Sequence, residues 1–430
     1  MLAIKSLNEE KTREGLLKRV GDISSLDEII KLNDERKNLR SKIDELNKLK
    51  NKTSKLIASL KSKEDISEYV ANMKAIGKEA SSLSNKAKLV EDEMFQKMAV
   101  LPNTPDADVV SGGKENNVVV STYIDQPKYD FVAKDHVYLA TNLGLVDYKK
   151  GVKLAGQGNW IYTGIGAQLE FALINYFINE HLKNGWEFML IPHMLRYDCG
   201  FTAGQFPKFQ DEVYWIEEEN KENKKFLLPT AETGLVNLHN GETLLEEDLP
   251  KKYFSYTPCF RREAGSSRAE ERGTIRGHQF NKVELVQYTN EDNSNHAFEE
   301  MLENSERLVR QLGLHYQVSK LAAGDCSVSM CRTYDIEIWI PSMGIYKEVS
   351  SVSNARAYQA RRGNIRYKDS VSGKTKFVHT LNGSGLATSR LFPALLEQYQ
   401  QSDGSVILPE VLRPYLGNTE KIEAKVLKKK

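Results

Sequence analysis

The sequence predicts an α+β protein in which a long antiparallel coiled-coil hairpin precedes an antiparallel β-sheet flanked by helices. Apolar residues in the first hundred positions recur at alternating spacings of three and four, which is typical of a coiled coil. No proline occurs before Pro102 and glycine is scarce in this stretch, so long helices are favoured there. Beyond residue 127, β-branched and aromatic runs alternate with amphipathic stretches, as expected when strands and helices share one body.

The N-terminal arm, residues 1–101, is expected to fold as two helices that span about residues 27–100. A short break at 63–67 separates them, so they should fold back on each other as a hairpin. A helix over 27–60 would be about 50 Å long at 1.5 Å per residue. The residues predicted to face the partner helix are Ile29, Leu32, Arg36, Leu39, Ile43, Leu46, Lys50, Thr53, Ile57 and Leu60 in the first helix, and Met73, Ile76, Ala80, Leu83, Ala87, Val90 and Met94 in the second.

Positive charge is concentrated in this arm. The whole chain has a formal net charge of +1, but its first 100 residues contain 21 basic and 17 acidic residues. The stretch 46–63 contains no acidic residue and six lysines: Lys48, Lys50, Lys52, Lys55, Lys61 and Lys63. A solvated helix face is the simpler interpretation of such a run, and a protein-binding hairpin is another. The more specific interpretation is a surface that contacts nucleic-acid phosphates independently of base sequence.

Residues 102–126 are expected to form a linker, because two prolines and the pairs Gly112-Gly113 and Asn116-Asn117 end the helical pattern. The body then comprises residues 127–430. Helices are expected in it at 167–182 and 391–400, and strands at 186–192, 252–262, 278–288 and 334–340.

Composition excludes several classes of protein. With 40% hydrophobic and 9% aromatic residues, the chain is too apolar to be mostly disordered, and 430 residues suffice for two or three units. The four cysteines, Cys199, Cys259, Cys326 and Cys331, form no CxxC pair, so neither a disulfide framework nor a zinc ribbon is expected. Without a membrane-length apolar stretch or a signal-peptide pattern, the expected protein is reduced and cytoplasmic.

The densest cluster of reactive residue types lies between positions 259 and 284. Five arginines occur in the sixteen residues 261–276, which suits the binding of phosphate. Because residues i and i+2 share a strand face, Arg261 and Glu263 should point together, as should Phe280 and Glu284. Two antiparallel strands would bring these groups into one concave site. Taken alone, the loop is more simply interpreted as a charged surface hairpin.

Several stretches resemble the class II aminoacyl-tRNA synthetases. Residues 259–284 are similar to motif 2 of that family, Thr380–Arg390 to motif 3 with its terminal arginine, and Gly185–Pro192 to motif 1, the dimer-forming element. Leu228–Glu232, Lys347–Asn354 and the hairpin in front resemble the seryl branch of the family. The resemblance covers essentially the whole chain, with the motifs in the family's order.

The resemblance implies that serine is activated with ATP and then transferred to the 3′ end of tRNA(Ser). The implied catalytic residues are Arg261, Glu348 and Arg390. The implied ATP-binding residues are Arg261, Arg262, Glu263, Phe280, Glu348, Val349, Ser350, Ser351 and Arg390. Among these, Phe280 would stack on adenine against Arg390, and Glu348 and Ser351 would hold Mg²⁺ with hard oxygen ligands.

The resemblance also implies a serine pocket, a tRNA surface and a homodimer, with no membrane partner. The implied serine-binding residues are Thr230, Ala231, Glu232, Glu284, Asn382 and Ser384. The implied tRNA contacts are the six lysines of the arm together with Arg268 and Arg272. The charging of a selenocysteine-type tRNA(Sec) is left open. So are two alternatives, a paralogue that passes seryl groups to a non-tRNA acceptor and a non-catalytic tRNA-binding protein.

Three features depart from the family pattern. Gly277 stands where valine is usual, Ser389 stands where glycine usually precedes the motif 3 arginine, and the loop 265–272 lacks the usual Gly-Arg-Asp-Thr. None of them removes an implied ligand. They bear instead on how ATP is held and on how the loop meets the acceptor stem.

Overall fold

A computed structural model of the chain describes residues 1–59, 66–217, 224–263 and 271–424. It divides into two compact units, a helical unit over Leu2–Pro102 and a sheet unit over Asn103–Lys430 that also includes Met1. The helical unit contains a long hairpin and the sheet unit contains antiparallel strands with helices. The predicted α+β fold class with an N-terminal helical hairpin is therefore confirmed.

The α-helices of the described residues are α1 (Glu10–Val20), α2 (Ser24–Ser59), α3 (Ile66–Val100), α4 (His136–Asn142), α5 (Tyr148–Ala155), α6 (Ile165–Lys183), α7 (Tyr197–Ala203), α8 (Glu232–Leu235), α9 (Ser294–Gln311), α10 (Tyr358–Gly363) and α11 (Thr388–Gln398). The strands are β1 (Val118–Tyr123), β2 (Val146–Asp147), β3 (Ile161–Tyr162), β4 (Glu187–Phe188), β5 (Met194–Arg196), β6 (Trp215–Ile216), β7 (Lys225–Leu227), β8 (Thr243–Leu245), β9 (Lys251–Phe260), β10 (Gln279–Thr289), β11 (Tyr316–Lys320), β12 (Arg332–Ile340), β13 (Ile345–Arg356), β14 (Arg366–Lys368), β15 (Thr375–Phe377), β16 (His379–Ala387), β17 (Val406–Ile407) and β18 (Lys421–Ile422). Short 3₁₀ segments occupy Ile4–Asn8, Lys114–Asn116, Gln210–Glu212, Glu246–Asp248 and Glu410–Leu416.

Helices α2 and α3 form the hairpin of the helical unit, and contacts between them show that they run antiparallel. Lys97 pairs with Glu28 at 2.8 Å, and the Ser54 hydroxyl lies 3.6 Å from the Met73 sulfur. Positions late in one helix therefore meet positions early in the other, as the short break between the helices predicts.

The hairpin seam is buried most deeply away from the turn. Leu39 and Ile43 of α2 pack with Ala87 and Val90 of α3, and Leu32 and Leu83 extend this cluster. Towards the turn the predicted seam is more open: Leu46, Thr53 and Ile57 are only partly buried. Lys50 was predicted to face the partner helix, and this is wrong, because its side chain is exposed. Leu60, Lys61 and Lys63 lie outside the described residues.

The sheet unit is built on an eight-stranded sheet in the described part of the chain, in the order β1-β11-β12-β13-β16-β10-β9-β4. Neighbouring strands are antiparallel except for the edge strand β4, which runs parallel to β9. Helices α6, α9 and α11 pack against one face. Their apolar side chains meet Leu285, Ile336 and Leu381 in the main core. The opposite face of the central strands is left for polar side chains.

Two segments differ from the sequence prediction. The stretch 102–126 was predicted as a linker, but it contains β1, and the Asn103 amide donates to the carbonyls of Ser329 and Ala355 at 2.9 Å each. The glycine and asparagine pairs that suggested a linker belong to turns between ordered segments. The strand predicted over 186–192 shortens to β4, because only two of its residues pair with β9.

No helix in the described ranges combines the length and the apolar character that crossing a bilayer requires.

Candidate active site

A cavity of about 940 Å³ opens on the polar face of the sheet. Side chains of β10 point alternately to the core and to the cavity, which explains why charged groups are found at the cavity. Val283 and Leu285 face the core, whereas Lys282, one position away, lines the cavity and Glu284 lies beneath it. Predicted site residues that line the cavity are Thr230, Glu232, Arg261, Glu263, Glu348, Ser351, Asn382, Ser384 and Arg390. A small adjoining cavity is lined by Phe280 and Val349 together with several of the same residues.

A β-bulge brings Glu348 and Ser351 to the same face although they are three positions apart. Glu348 lies opposite Glu337 and Ser351 opposite Asp335, and the pairing of β12 with β13 shifts by one residue between them. Val349, on the bulged strand, turns into the core instead. Strict alternation would separate Glu348 from Ser351, so the bulge is what allows both side chains to line the cavity.

One end of the cavity can recognise a small polar group. Glu284 is fully buried, and it accepts hydrogen bonds from the Thr230 hydroxyl and the Asn382 amide, both at 3.2 Å. It is also ion-paired with Lys282. Ser384 lies opposite Glu284 in the pairing of β10 with β16. These side chains come from β10, β16 and the turn before α8, which explains why they are far apart in sequence.

Glu232 is the second carboxylate at this end. Loss of hydration and the neighbouring charge of Glu284 raise the pKa of Glu232 to about 7. A hydrogen bond from Gln359 and the cations of Lys282 and Arg261 act in the opposite direction. Glu232 therefore changes charge near neutral pH, and a bound ammonium group would favour its ionised form.

The other end of the cavity carries two arginines. The Arg261 guanidinium lies 5.1 Å from the centre of the Phe280 ring, and its Nε donates to the Pro229 carbonyl at 3.2 Å. Arg390, near the start of α11, donates to the Glu348 carbonyl at 2.8 Å and lies 3.4 Å from its carboxylate. Desolvation tends to raise the pKa of Glu348, but the cations of Arg390, Lys282 and Arg261 outweigh it and hold the pKa below its ordinary value.

Glu263 reaches the cavity in a way that strand alternation does not explain. Strand β9 ends at Phe260, and Glu263 adopts a positive φ of 51° beyond it. Its carboxylate accepts from Arg276 at 2.6 Å, and Arg276 also pairs with Glu271 at 3.0 Å. Glu271 in turn pairs with Lys347 at 2.6 Å. These ion pairs connect Glu263 with Glu271. The two glutamates flank residues 264–270, which lie outside the described part of the chain.

Behind β10, a buried carboxylate connects the motif 2 and motif 3 segments. Glu170 of α6 accepts from the Thr388 hydroxyl at 2.5 Å and from the Asn281 amide at 2.8 Å. Asn281 follows Phe280 and Thr388 precedes Arg390 by two positions. Burial raises the pKa of Glu170 to about 7.

Some predicted site residues lie away from the cavity wall. Ala231 belongs to a buried apolar cluster, and the buried Ser350 hydroxyl donates to the Ser384 carbonyl at 2.7 Å. Arg262 is exposed and donates to the Asp211 carbonyl at 3.2 Å. Arg272 is exposed, as are Lys48, Lys50, Lys52 and Lys55 in the helical unit. Lys61, Lys63 and Arg268 lie outside the described residues.

Several charged residues that line the cavity were missed as site residues by the sequence reasoning, among them Lys282, Arg276 and Asp335. Lys282 shares a face of β10 with Glu284, so the i, i+2 rule would have found it. Arg276 was visible only as one arginine among five. Asp335 required the pairing of β12 with β13. Its pKa is raised well above the ordinary value by burial and by nearby Glu348.

The departure at Gly277 has a steric explanation. A Cβ placed there would lie 2.2 Å from the indole ring of Trp160 and 2.8 Å from the Gly158 carbonyl oxygen. The next residue, His278, donates its backbone N–H to that same carbonyl at 3.1 Å, and its ring Nδ1 lies 3.1 Å from the Arg261 carbonyl. Trp160 thus occupies the space of the missing side chain. The second departure, Ser389, is buried, and its carbonyl accepts from Thr274.

Comparisons with known proteins agree with this geometry. Residues 1–105 match the family model of the seryl-tRNA synthetase N-terminal domain, and residues 214–399 match the tRNA synthetase class II core domain (G, H, P, S and T). The chain is 54% identical to serine–tRNA ligase 2 of Clostridium acetobutylicum over 95% of this chain and 96% of that protein. It is 40% identical to the serine–tRNA ligase of Geobacter sulfurreducens over 98% and 100% of the two chains.

A solved structure supports the same assignment. The seryl-tRNA synthetase of Pyrococcus horikoshii, crystallised with ATP, superposes with a TM-score of 0.92 at 31% identity, covering 99% of this chain and 100% of that one. With both the hairpin and the core matched over nearly their full length, the chain belongs to the seryl-tRNA synthetase family of class II aminoacyl-tRNA ligases.

Proposed function

We propose that this cavity activates serine with ATP and passes the seryl group to tRNA(Ser). The observation that carries the proposal is the arrangement of charged groups in the cavity. The phosphate end holds Arg390 and Arg261, which suit phosphate and a carboxylate. The serine end holds Glu232, Glu284 and Thr230, which suit an ammonium group and a hydroxyl, and Arg261 acts on Glu232 as well as on Glu348, so it connects the two ends.

In the first step, a serine carboxylate oxygen attacks the α-phosphorus of ATP, and the bond to the bridging oxygen of pyrophosphate breaks. The reaction depends mainly on positioning and on neutralising charge on the phosphates. Arg261 would bind the α-phosphate and the serine carboxylate, and Arg390 would bind the outer phosphates. Phe280 would stack on adenine. In the second step, a tRNA 3′-terminal hydroxyl attacks the seryl carbonyl carbon and AMP leaves.

The pocket would select serine because it contains buried polar groups that need the side-chain hydroxyl. The side-chain oxygen of Asn382 is buried without a hydrogen bond from the protein and would stay unpaired opposite alanine, and sites of this kind reject an analogue without the hydroxyl strongly. Glu232 would take the ammonium group. Lys282, paired with Glu284, would keep the total charge of the pocket close to that of one carboxylate.

Magnesium fits the donor set at the phosphate end. In the described residues, no cluster of three His, Cys, Asp or Glu could hold a metal ion by itself. One or two carboxylates plus substrate phosphates are typical for Mg²⁺, and Glu348 with Ser351 would supply the protein's oxygen ligands. Asp335 lies opposite Ser351, and its Oδ1 is buried without a hydrogen bond from the protein, so the site has a further oxygen in reach. When bound, the ion would neutralise phosphate charge.

The remaining parts of the proposal concern assembly, tRNA and location. Phe171 and Leu182 on α6 and Leu190 after the edge strand β4 are exposed at 56%, 47% and 78%, a pattern that suits a homodimer interface. The exposed lysines of α2 would contact the tRNA backbone. Cys199, Cys259 and Cys331 are free thiols, which agrees with a reducing cytoplasm.

ATP–pyrophosphate exchange measured across the amino acids tests this function. We expect exchange with serine and at least 100-fold less with alanine, an order of magnitude set by the cost of leaving the buried polar groups unpaired. Charging of total tRNA, followed by identification of the charged species, then separates tRNA(Ser) from tRNA(Sec). Exchange without charging would favour the paralogue with a non-tRNA acceptor. Absence of serine-dependent exchange would contradict the proposal.

A further inference from the structure

Gln359 of α10 lies behind the wall of the serine end and connects three segments that are distant in sequence. It is almost fully buried, at 1% exposure. Its Nε2 donates to Glu232 Oε1 at 2.8 Å and to the Ala203 carbonyl at 3.0 Å, and its Oε1 accepts from the Thr380 hydroxyl at 2.7 Å. Both hydrogens and the oxygen of the amide are therefore used.

These partners determine the orientation of the amide. A carboxylate and a carbonyl can only accept hydrogen bonds, so both must face the NH₂ group. A flipped amide would place its oxygen against two acceptors. Thr380 belongs to β16 and Ala203 ends α7. The packing of these two elements therefore sets the position of the Gln359 amide, and the amide in turn sets the position of the Glu232 carboxylate.

We propose that Gln359 is a positioning residue for serine recognition, which holds one oxygen of Glu232 so that the other faces the ammonium group of the amino acid. This inference rests on the proposed function, because it assigns Glu232 to the ammonium. Gln359 itself does not contact the substrate in this scheme. It acts through the carboxylate, and the phosphate end of the cavity is held by other contacts.

The charge of Glu232 provides a specific readout. The charged groups that face it are Glu284 and Lys282 from β10 and Arg261 from the end of β9, while Gln359 contributes the neutral donor from α10. Because a hydrogen bond to a carboxylate favours its ionised form, loss of the amide raises the pKa of Glu232. Serine binding should then require a higher pH than in the wild type.

The test is the variant Gln359→Met, which keeps an unbranched side chain of similar length and removes all three hydrogen bonds. In pyrophosphate exchange we expect the KM for serine to rise about 10-fold or more, the range for losing a hydrogen bond to a charged group. The KM for ATP should change less than twofold, and the fall of the serine KM with rising pH should move to higher pH. Equal increases in both KM values with an unmoved pH profile, or an unchanged serine KM, would overturn the inference.

Gln398→Met is the matched control. This glutamine of α11 also makes three hydrogen bonds, to the backbone of His315 and Trp339, and lies outside the cavity wall. It should leave the ratio of the two KM values unchanged. If Gln359→Met fails to fold, Thr380→Val tests the same hydrogen-bond network by removing one hydroxyl group. It should raise the serine KM selectively, Thr380→Ser should restore it, and an unshifted serine KM in Thr380→Val would count against the inference.

The wild type separates the two claims. Without serine-dependent exchange in the wild type, the proposed function fails. With it, an unshifted serine KM in the glutamine variant removes only the role of Gln359.

Discussion

In the helical unit the ion pairs lie at the surface, whereas in the sheet unit several charged groups lie in or beneath the cavity. Arg40 and Glu91, on α2 and α3, pair at 2.7 Å with side chains 54% and 30% exposed. Lys282 and Glu284 pair with side chains 12% and 0% exposed. An ion pair between a basic side chain and a glutamate is therefore worth little in the helical unit and is costly to break in the cavity, because water compensates for a lost partner only at the exposed pair.

Removal of Lys282 should have the largest effect on stability. In Lys282→Met, Glu284 would lose its ion-pair partner in a buried site, and breaking a buried pair in this way costs about 3–5 kcal/mol of unfolding free energy. Tryptophan fluorescence during urea unfolding measures this cost in the sheet unit, since Trp160, Trp186, Trp215 and Trp339 all lie there. The double variant with Glu284→Gln should recover part of the loss. A loss below 1 kcal/mol would contradict the contrast between the units.

Arg390→Ala tests the charge at the phosphate end. We expect the rate of serine-dependent exchange to fall about 100- to 1,000-fold, the range for removing one preorganised group that stabilises developing charge. The sheet unit should remain folded by the same fluorescence measurement. Arg310→Ala, which removes a partly exposed arginine paired with Glu303 and Glu306, is the control and should keep exchange within twofold.

Glu170→Gln tests a carboxylate buried behind β10. Because its pKa rises from 4.5 to about 7 on folding, the folded state holds the proton more tightly and stability is lost as pH rises through this range. At about 1.4 kcal/mol per pKa unit, the wild type should lose about 3 kcal/mol relative to the variant between pH 4.5 and pH 8. Parallel stability curves of the two proteins would rule this out. The exposed Glu45→Gln in the helical unit is the matched control.

In the helical unit, replacing Lys48, Lys50, Lys52 and Lys55 with alanine should leave exchange and stability nearly unchanged. Charging of tRNA should fall about 10- to 100-fold, and its salt dependence should weaken, because each lost phosphate contact removes about one unit or less of the logarithmic salt slope. Four other exposed lysines, Lys42, Lys74, Lys78 and Lys88, provide the control set. Equal losses from the two sets would show that the position of the lysines does not matter.

The smallest effect is expected at Arg40 and Glu91. A double-mutant cycle with alanine should give a coupling energy of about 0.2–1 kcal/mol, as for other exposed pairs. Far-ultraviolet circular dichroism during unfolding measures it through the helices. A coupling energy as large as that of Lys282 with Glu284 would remove the distinction between the units.

The helical unit and the sheet unit also differ in how much of their structure could be predicted from the sequence. The hairpin depends on local spacing, so its helices were predicted closely. Strands β9, β10 and β12 were predicted for the same reason. The predicted seam differs in its second half, where Lys50 is exposed and Leu46, Thr53 and Ile57 are only partly buried. Most of the catalytic and substrate-binding residues that the motif resemblance implied do line the two cavities.

What escaped prediction depends on contacts between distant segments. The bulge beside Val349 arises from the pairing of β12 with β13 and has no signal of its own in the sequence. The link from Gln359 to Glu232 needs α7, α10 and β16 to pack together. Strand β1 was hidden because the glycine and asparagine pairs just before it resemble those of a linker.

Trp160 and Gly277 also depend on each other. The indole occupies volume that a side chain at 277 would require, and the Gly158 carbonyl oxygen lies 2.8 Å from the position of its Cβ. A larger residue at 277 therefore needs both the tryptophan ring and the backbone at Gly158 to move. Grafting either Trp160 or Gly277 alone into a relative would transfer half of an interdependent pair.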